Sequence, residues 1–125
     1  MNLLLDTHTL IWALADNPEL SAAAREAIID SNNIVFVSAV SVWEISTTKA
    51  LGKLEAPDTL LEEIERHRFS ALEIALEHAD RAGKLPPIHL DPYDRMLIAQ
   101  AQSEQLTLVT RDSEIQKYQV HCLVA

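Results

Sequence analysis

Four acidic residues stand where an unpartnered charge is costly to keep. Asp6 directly follows the apolar run 3–5, and Asp112 follows the short run 108–111; the full set is Asp6, Glu44, Asp94 and Asp112. A charge beside a buried strand is tolerated when it caps a helix, meets a cation or takes part in chemistry. Each of the four acids therefore needs one of these explanations.

Taken one at a time, most of these acids have a structural explanation. Asp6 and Asp112 could cap the helices that follow them, and Asp94 lies in the first turn of a predicted helix, where the helix dipole favours an anion. Glu44 is different, because helical spacing gives it neighbours that are not those of a freely solvated face. Those neighbours are Val40, Ser41, Thr48 and Leu51. The alternative for Glu44 is a surface glutamate at the edge of an amphipathic helix.

The acids make a stronger case together. If the strands before Asp6 and Asp112 are neighbours, their side chains start about 5 Å apart. Two charges at that distance repel by roughly 3 kcal/mol at an effective dielectric of about 20, and Asp94 and Glu44 would add to the repulsion. Either some of these acids keep their protons at neutral pH or a divalent cation neutralises them. A carboxylate set with no nearby Cys or His favours Mg²⁺ or Mn²⁺ over zinc.

The chain alternates short apolar runs with helical patterns. Strands are predicted at 2–5, 34–37, 69–74, 106–110 and 120–124, and helices at 7–15, 21–29, 38–52, 59–67, 76–83 and 91–105. Ser21, Asp58 and Asp91 are the expected N-caps, and Gly52 and Gly83 are the expected helix ends. This alternation predicts an α/β fold with a parallel sheet of about five strands and helices on both faces. In such sheets, sites form outside the carboxyl ends of the strands, near the point where strand order reverses.

Length and composition limit the function further. The 125 residues and 14.0 kDa predict one domain spanning 1–125, and the 48% hydrophobic content argues against disorder. A formal charge of −9 argues against passive electrostatic binding of nucleic acid, so such a substrate would need a bridging cation. The single Cys122, the absence of a long apolar stretch and a start at Met1 without a basic leader favour a cytoplasmic protein.

Four segments also carry a family resemblance. They are LLDTHTLIW at 4–12, VSVWEI at 40–45, DPYDRMLIAQA at 91–101 and LVTRD at 108–112. In this order, over nearly the whole chain, they resemble the PIN-domain ribonucleases and, more narrowly, the VapC-type toxins of bacterial toxin–antitoxin pairs. The resemblance places Asp6, Glu44, Asp94 and Asp112 on the acidic metal-site positions of the family. Asp91 is interpreted mainly as the helix cap, with an outer-sphere role at the metal as the alternative.

Hydroxyl groups near these acids are further candidates. Thr7 and Thr110 are expected to hold a carboxylate or a water on the metal. Thr9, Ser38 and Ser41 could do the same, but capping or a strand-end hydrogen bond is the favoured explanation for them.

Histidines and arginines beside the acids leave two explanations open. His8 and His89 flank the acidic segments, and polar packing is favoured over a role as general base. Arg95 and Arg111 each adjoin a site acid, so they either contact an RNA phosphate or form salt bridges that lower the pKa of those carboxylates.

The resemblance implies an endoribonuclease in which the four acids hold one or two Mg²⁺ ions, or Mn²⁺ as a substitute. Such an ion activates water for in-line attack on an RNA phosphodiester and leaves a 5′-phosphate and a 3′-hydroxyl. It further implies a homodimer inhibited by a small antitoxin with a basic or amphipathic C-terminal segment.

Two other classes compete with this interpretation. One is a catalytically silent PIN-like module that binds protein or RNA. The other is a phosphoryl-transfer domain, but a haloacid-dehalogenase phosphatase would need Asp-x-Asp where this chain has Asp6-Thr7-His8.

Overall fold

A five-stranded sheet forms the centre of the protein, and the computed structural model describes all of residues 1–125. The strands are β1 (Asn2–Leu5), β2 (Ile34–Ser38), β3 (Ser70–Leu72), β4 (Thr107–Thr110) and β5 (Cys122–Val124). Their order in the sheet is β3-β2-β1-β4-β5, and every pairing is parallel. The chain builds outward from β1 to β2 and β3, then returns to add β4 and β5 on the other side. Strand order therefore reverses at β1.

Six helices connect the strands. They are α1 (Thr7–Leu14), α2 (Ala22–Ile29), α3 (Ala39–Ala50), α4 (Leu60–Arg66), α5 (Leu76–Lys84) and α6 (Pro92–Glu104), and a short 3₁₀ turn covers Ile115–Lys117. None of these helices is both long and apolar enough to cross a lipid bilayer. The predicted α/β fold with a five-stranded parallel sheet is confirmed.

Alternation along β1 fills two cores, one on each face of the sheet. Leu3 and Leu5 point into a cluster that includes Leu10 of α1 and Ala24 of α2. Leu4 points to the other face, where it packs with α6 residues. All three leucines of β1 have no exposed surface, as expected for a central strand covered by helices on both sides. This buried strand fixes the position of the residue that follows it, Asp6.

Three sequence expectations fail in detail. The strand predicted at 69–74 is paired only over β3. Asp58 does not cap α4, because it forms an ion pair with Lys49 and the N-cap position is taken by Thr59. Gly83 does not end α5, which continues to Lys84. Gly52, by contrast, has a φ of +71° just after α3, the left-handed conformation that its position predicts.

Candidate active site

A cleft at the carboxyl edge of the sheet, beside the strand-order reversal, collects the predicted acids. Its volume is about 440 Å³. The lining residues are Asp6, Thr7, His8, Thr9, Trp12, Glu44, Asp91, Asp94, Arg111 and Asp112. Strands β1 and β4 are neighbours, as the sequence argument required, with Leu5 paired to Val109. The structure thus brings Asp6, Glu44, Asp94 and Asp112 together and adds Asp91 as a fifth carboxylate.

Asp6 serves both as a helix cap and as a wall of the cleft. Its Oδ1 accepts the backbone N–H of Thr9 at 2.9 Å, and its own N–H donates to the carbonyl of Val109 at 3.1 Å. The residue is 7% exposed. Because one oxygen is used by the cap, the carboxylate is held in a fixed orientation while the side chain still lines the cleft.

Glu44 enters the cleft from α3 and is held by Thr7. The Thr7 hydroxyl donates to Glu44 Oε1 at 2.5 Å and lies 3.4 Å from the hydroxyl of Ser41. Thr7 and Ser41 are buried. The Thr7 hydroxyl therefore orients the carboxylate of Glu44. Holding a carboxylate is one of the two roles that the sequence suggested for Thr7.

Asp91 and Asp94 lie together at the start of α6. Asp91 is the N-cap, and its Oδ1 accepts the backbone N–H groups of Tyr93 and Asp94 at 2.8 and 3.2 Å. The Asp94 side chain is 20% exposed. Burial raises the pKa of Asp94 to about 7, with further increases from the charges of Asp91, Glu44 and Asp6 and an opposing effect from His89. A carboxyl group with this pKa gains strongly from a nearby cation.

Asp112 is fixed by its neighbours in the loop after β4. The hydroxyl of Thr110 accepts the N–H of Asp112 at 3.1 Å, and Asp112 Oδ1 accepts the N–H of Glu114 at 2.8 Å. Thr110 thus holds the backbone of the acid and not its carboxylate. Two further hydroxyl candidates do not hold a site carboxylate either, since Thr9 donates to the carbonyl of Val109 and Ser38 donates to the side chain of Gln100.

His89 lies inside the acidic site, so the premise that no histidine is near the carboxylates is wrong. Its Nε2 is 2.9 Å from Asp94 Oδ2 and 3.0 Å from Asp112 Oδ2. Burial lowers the pKa of His89, but the hydrogen bond with Asp112 and the charges of Asp94, Asp112 and Asp91 outweigh it and raise the pKa. The sequence offered one signal for this placement: His89 lies between the Pro86-Pro87 break and the helix cap Asp91, two residues before that cap.

Neither arginine forms the salt bridge that the sequence suggested with its adjacent acid. Arg95 donates from its two terminal nitrogens to four backbone carbonyls at 2.9–3.1 Å. With those donors occupied, it also has no free fork for an RNA phosphate. Arg111 pairs with Glu19 at 3.2 Å, donates to the carbonyl of Ala125 and covers the ring of Trp12, 4.6 Å from its centroid. Both cations are thus bound to other groups.

The cleft consequently keeps its negative charge. None of its five carboxylates forms an ion pair with a lysine or an arginine, and His89 is the one basic partner of Asp94 and Asp112. Several converging carboxylate oxygens are the donor set that Mg²⁺ and Mn²⁺ prefer. The residues present therefore fit a divalent metal site.

A parallel α/β sheet with an acidic cleft at the carboxyl ends of its strands is typical of proteins that bind a divalent metal there. Comparison with known proteins identifies the family. The PIN domain family model matches residues 3–120, so this chain belongs to the PIN domain family. The predicted family is confirmed. No curated protein matches the chain in sequence.

Solved structures with the same fold include chains of toxin–antitoxin complexes. VapBC2 of Rickettsia felis, bound to a DNA fragment from its promoter, has a TM-score of 0.73 at 16% identity, with 98% of each chain covered. DNA-bound VapBC of Salmonella typhimurium has a TM-score of 0.70 at 20% identity, with 98% of this chain and 97% of that chain covered. A toxin–antitoxin complex of Klebsiella pneumoniae has a TM-score of 0.66 at 19% identity, with coverage of 98% and 96%. At these identities the likeness establishes the fold.

Proposed function

We propose that this PIN domain is a metal-dependent endoribonuclease and the toxin of a toxin–antitoxin pair, acting in the cytoplasm. The observation that carries the proposal is the cleft with five carboxylates and no lysine or arginine paired to any of them. Such a cluster is costly unless protons or an external cation neutralise it, and at neutral pH the raised pKa of Asp94 accounts for one proton at most. Its position at the strand-order reversal is where parallel α/β sheets place their sites.

Asp6, Glu44, Asp94 and Asp112 would hold Mg²⁺, or Mn²⁺ in its place. When bound, the ion would act as a Lewis acid that lowers the pKa of a water molecule and offsets charge on the scissile phosphate. Thr7 keeps Glu44 directed into the cleft, and the Asp6 cap keeps its carboxylate in place. Asp91 is the N-cap of α6 and lines the same cleft, so its role at the metal would be an outer-sphere one.

The charge of the protein supports a metal-bridged contact with the nucleic acid. At −9, the chain has no general attraction for phosphate. The two arginines nearest the acids are occupied, Arg95 by carbonyls and Arg111 by Glu19 and Trp12. A divalent ion in the cleft would supply the missing positive charge at the place where the RNA is cut.

The same charge and the structural neighbours support the proposal of a protein partner. The structures that share this fold include toxins in complex with antitoxins. A carboxylate cleft attracts lysine and arginine, so a small antitoxin with a basic or amphipathic C-terminal segment could insert a cation and displace the metal. A homodimer is also proposed, and Trp43 supports it because this large side chain is 61% exposed beside Tyr93.

The proposal is tested by incubating purified protein with total RNA in the presence of Mg²⁺, Mn²⁺ or EDTA and mapping the cut ends. We expect cleavage with either ion, none with EDTA, and products with a 5′-phosphate and a 3′-hydroxyl. Cleavage that persists in EDTA would refute the metal-dependent mechanism. Divalent-ion binding without cleavage of any RNA would instead favour the silent binding module, and hydrolysis of small phosphomonoesters would favour a phosphatase.

A further inference from the structure

We infer that His89 is a positioning residue: its Nε2 hydrogen-bonds Asp112 and lies against Asp94, and these two contacts hold the two carboxylates at the spacing that the metal requires. The inference rests on the proposed function, because it concerns the same cleft. It starts from one geometric fact: a single imidazole nitrogen lies 2.9 Å from Asp94 Oδ2 and 3.0 Å from Asp112 Oδ2. One residue comes from helix α6 and the other from the loop after β4, so this contact joins two separate elements.

The proton on Nε2 is fixed by the other ring nitrogen. Nδ1 accepts the backbone N–H of Asp91 at 3.3 Å. In the neutral ring, the nitrogen that accepts carries no proton, so the proton is on Nε2. With Nδ1 accepting from Asp91, the neutral ring directs its Nε2–H to Asp112, and Asp94 Oδ2 lies 2.9 Å from the same nitrogen. A charged ring would keep the proton on Nε2 but would have to give up the contact between Nδ1 and the N–H of Asp91.

The same hydrogen bond argues against His89 as a metal ligand. A ligating nitrogen must be unprotonated, and the second ring N–H of a ligating histidine normally donates to a carboxylate, a carbonyl or water. If Nε2 bound the metal, an Nδ1–H group would face the N–H of Asp91, donor against donor. His89 thus fits the role of a group that hydrogen-bonds the ligands.

The segment that carries His89 is anchored on both sides of the residue. The N–H of His89 donates to the Tyr118 hydroxyl at 2.8 Å, and that hydroxyl donates to the carbonyl of Pro86 at 2.7 Å. Arg95 donates to the carbonyls of Pro86 and His89 at 3.0 and 3.1 Å. This explains why Arg95 turns away from Asp94: its guanidinium fixes the segment that delivers the imidazole.

Hydrogen bonding at Nε2 leaves oxygens for a cation. Asp94 Oδ1 accepts no hydrogen bond within the protein, and each Oδ2 has a second lone pair. The donor therefore restrains the two carboxylates without using all of their ligand capacity. Without it, two like charges in one cleft would separate and the site would have to reassemble on binding.

Two variants separate the two ends of the imidazole. His89→Asn keeps an acceptor near the Nδ1 position for the N–H of Asp91 but has no donor at the Nε2 position. His89→Gln places an amide N–H near the Nε2 position. His121→Asn, at an exposed histidine away from the cleft, is the matched control.

Mn²⁺ binding to each RNA-free protein is measured by isothermal titration calorimetry, and folding is checked by circular dichroism in EDTA. We expect His89→Asn to weaken Mn²⁺ binding by roughly 10- to 100-fold, the usual cost of losing a group that orients a ligand, with His89→Gln and His121→Asn close to wild type. Unchanged or tighter binding by His89→Asn would overturn the inference, and so would an equal loss in His89→Gln. A wild-type protein that binds no Mn²⁺ would refute the proposed function first and this inference with it.

Discussion

A cavity lies at each end of the strands of the sheet, and the two cavities differ in whether their acidic residues are balanced by arginines. At the amino edge, a cavity of about 590 Å³ lies against the start of β2 and β3. Two acids and two arginines line it: Asp16 is paired with Arg25, which also donates to the carbonyl of Asn17 at 2.9 Å, and Asp30 and Arg68 complete the set. At the carboxyl edge, a smaller cleft of about 440 Å³ holds five carboxylates, and no lysine or arginine pairs with them.

This difference shows that cavity size does not identify the functional site here. In the larger cavity the two acids are balanced by two arginines, so nothing in its electrostatics requires an external ion. The smaller cleft has two arginines within reach in sequence, Arg95 and Arg111, and both are bound elsewhere. Five carboxylates to which no lysine or arginine is paired are the arrangement expected of a site that binds a cation from outside.

The largest expected effect is the loss of RNA cleavage in Asp6→Asn, Asp94→Asn or Asp112→Asn. Removing a metal ligand should cost more than removing a group that only orients one, so we expect a decrease in kcat/KM of at least about 100-fold. Asp16→Asn, at the neutralised edge, is the matched control and should cleave normally. Wild-type activity in all three cleft variants would mean that the two edges do not differ in function.

The folding stability of the same variants tests the repulsion at the cleft directly. Asn caps helices about as well as Asp, so Asp6→Asn keeps the bond to Thr9 while it removes one of the crowded charges. Urea unfolding in EDTA should therefore show stability equal to or slightly above wild type. A decrease of about 1 kcal/mol would show instead that the cap is the main role of this carboxylate.

Divalent ions should stabilise the protein through the carboxyl edge alone. An ion at a hundred times its dissociation constant adds about 2.7 kcal/mol to the free energy of unfolding. We expect Mn²⁺ to raise the melting temperature of wild type and of Asp16→Asn alike, and that of Asp6→Asn much less. Identical increases in all three proteins, measured by calorimetry, would indicate non-specific binding.

Arg95 should matter for the backbone it binds and not for the acids beside it. Lysine keeps the charge but lacks the planar fork that reaches four carbonyls, so Arg95→Lys should lower the free energy of unfolding by about 2 kcal/mol. Arg81→Lys is the control, because its ion pair with Glu77 is exposed and should contribute little to stability. Equal effects in urea unfolding would show that the carbonyl cluster contributes little.

A change of one pH unit in the metal-binding measurement should give the smallest of these effects. Burial raises the pKa of Asp94 to about 7 from 3.8, so the metal-free folded protein holds a proton that the unfolded chain releases. Its contribution to stability is therefore present at low pH and is lost as pH rises from about 4 to about 7. Mn²⁺ must displace this proton, so affinity should increase by up to about tenfold per pH unit below about pH 7 and then level off. A flat profile by calorimetry would contradict this assignment.

The sequence predicted the sheet and the gathering of the acids because both depend on local patterns. Runs of apolar residues mark the strands, and parallel strands bring the residues after Leu5 and Thr110 to one edge. The sequence could not predict the partners of long flexible cations. Arg95 adjoins Asp94 along the chain, yet its guanidinium reaches carbonyls of the preceding segment, a choice that depends on the path of the loop between α5 and α6.

The place of His89 among the carboxylates could not be predicted for the same reason. Its contacts with Asp94 and Asp112 span 5 and 23 residues and require the loop to fold back over the carboxyl edge. No periodicity encodes such a return. Tyr118, which fixes this loop through its hydroxyl, left no signal in the sequence either, because a buried tyrosine has the same pattern whether or not its hydroxyl is used.

The central position of β1 has a consequence for the time course of folding. Leu5 pairs with Val109, more than 100 residues later in the chain, and this contact places Asp112 beside Asp6. Pairings between distant segments form late, because a long loop must close before they become favourable. During synthesis, β1 and β2 can associate before β4 has been made. Asp6 is then in place while Asp112 is not yet part of the chain. The cleft therefore exists only in chains that have completed the second half of the sheet, and a partly synthesised chain carries no assembled site.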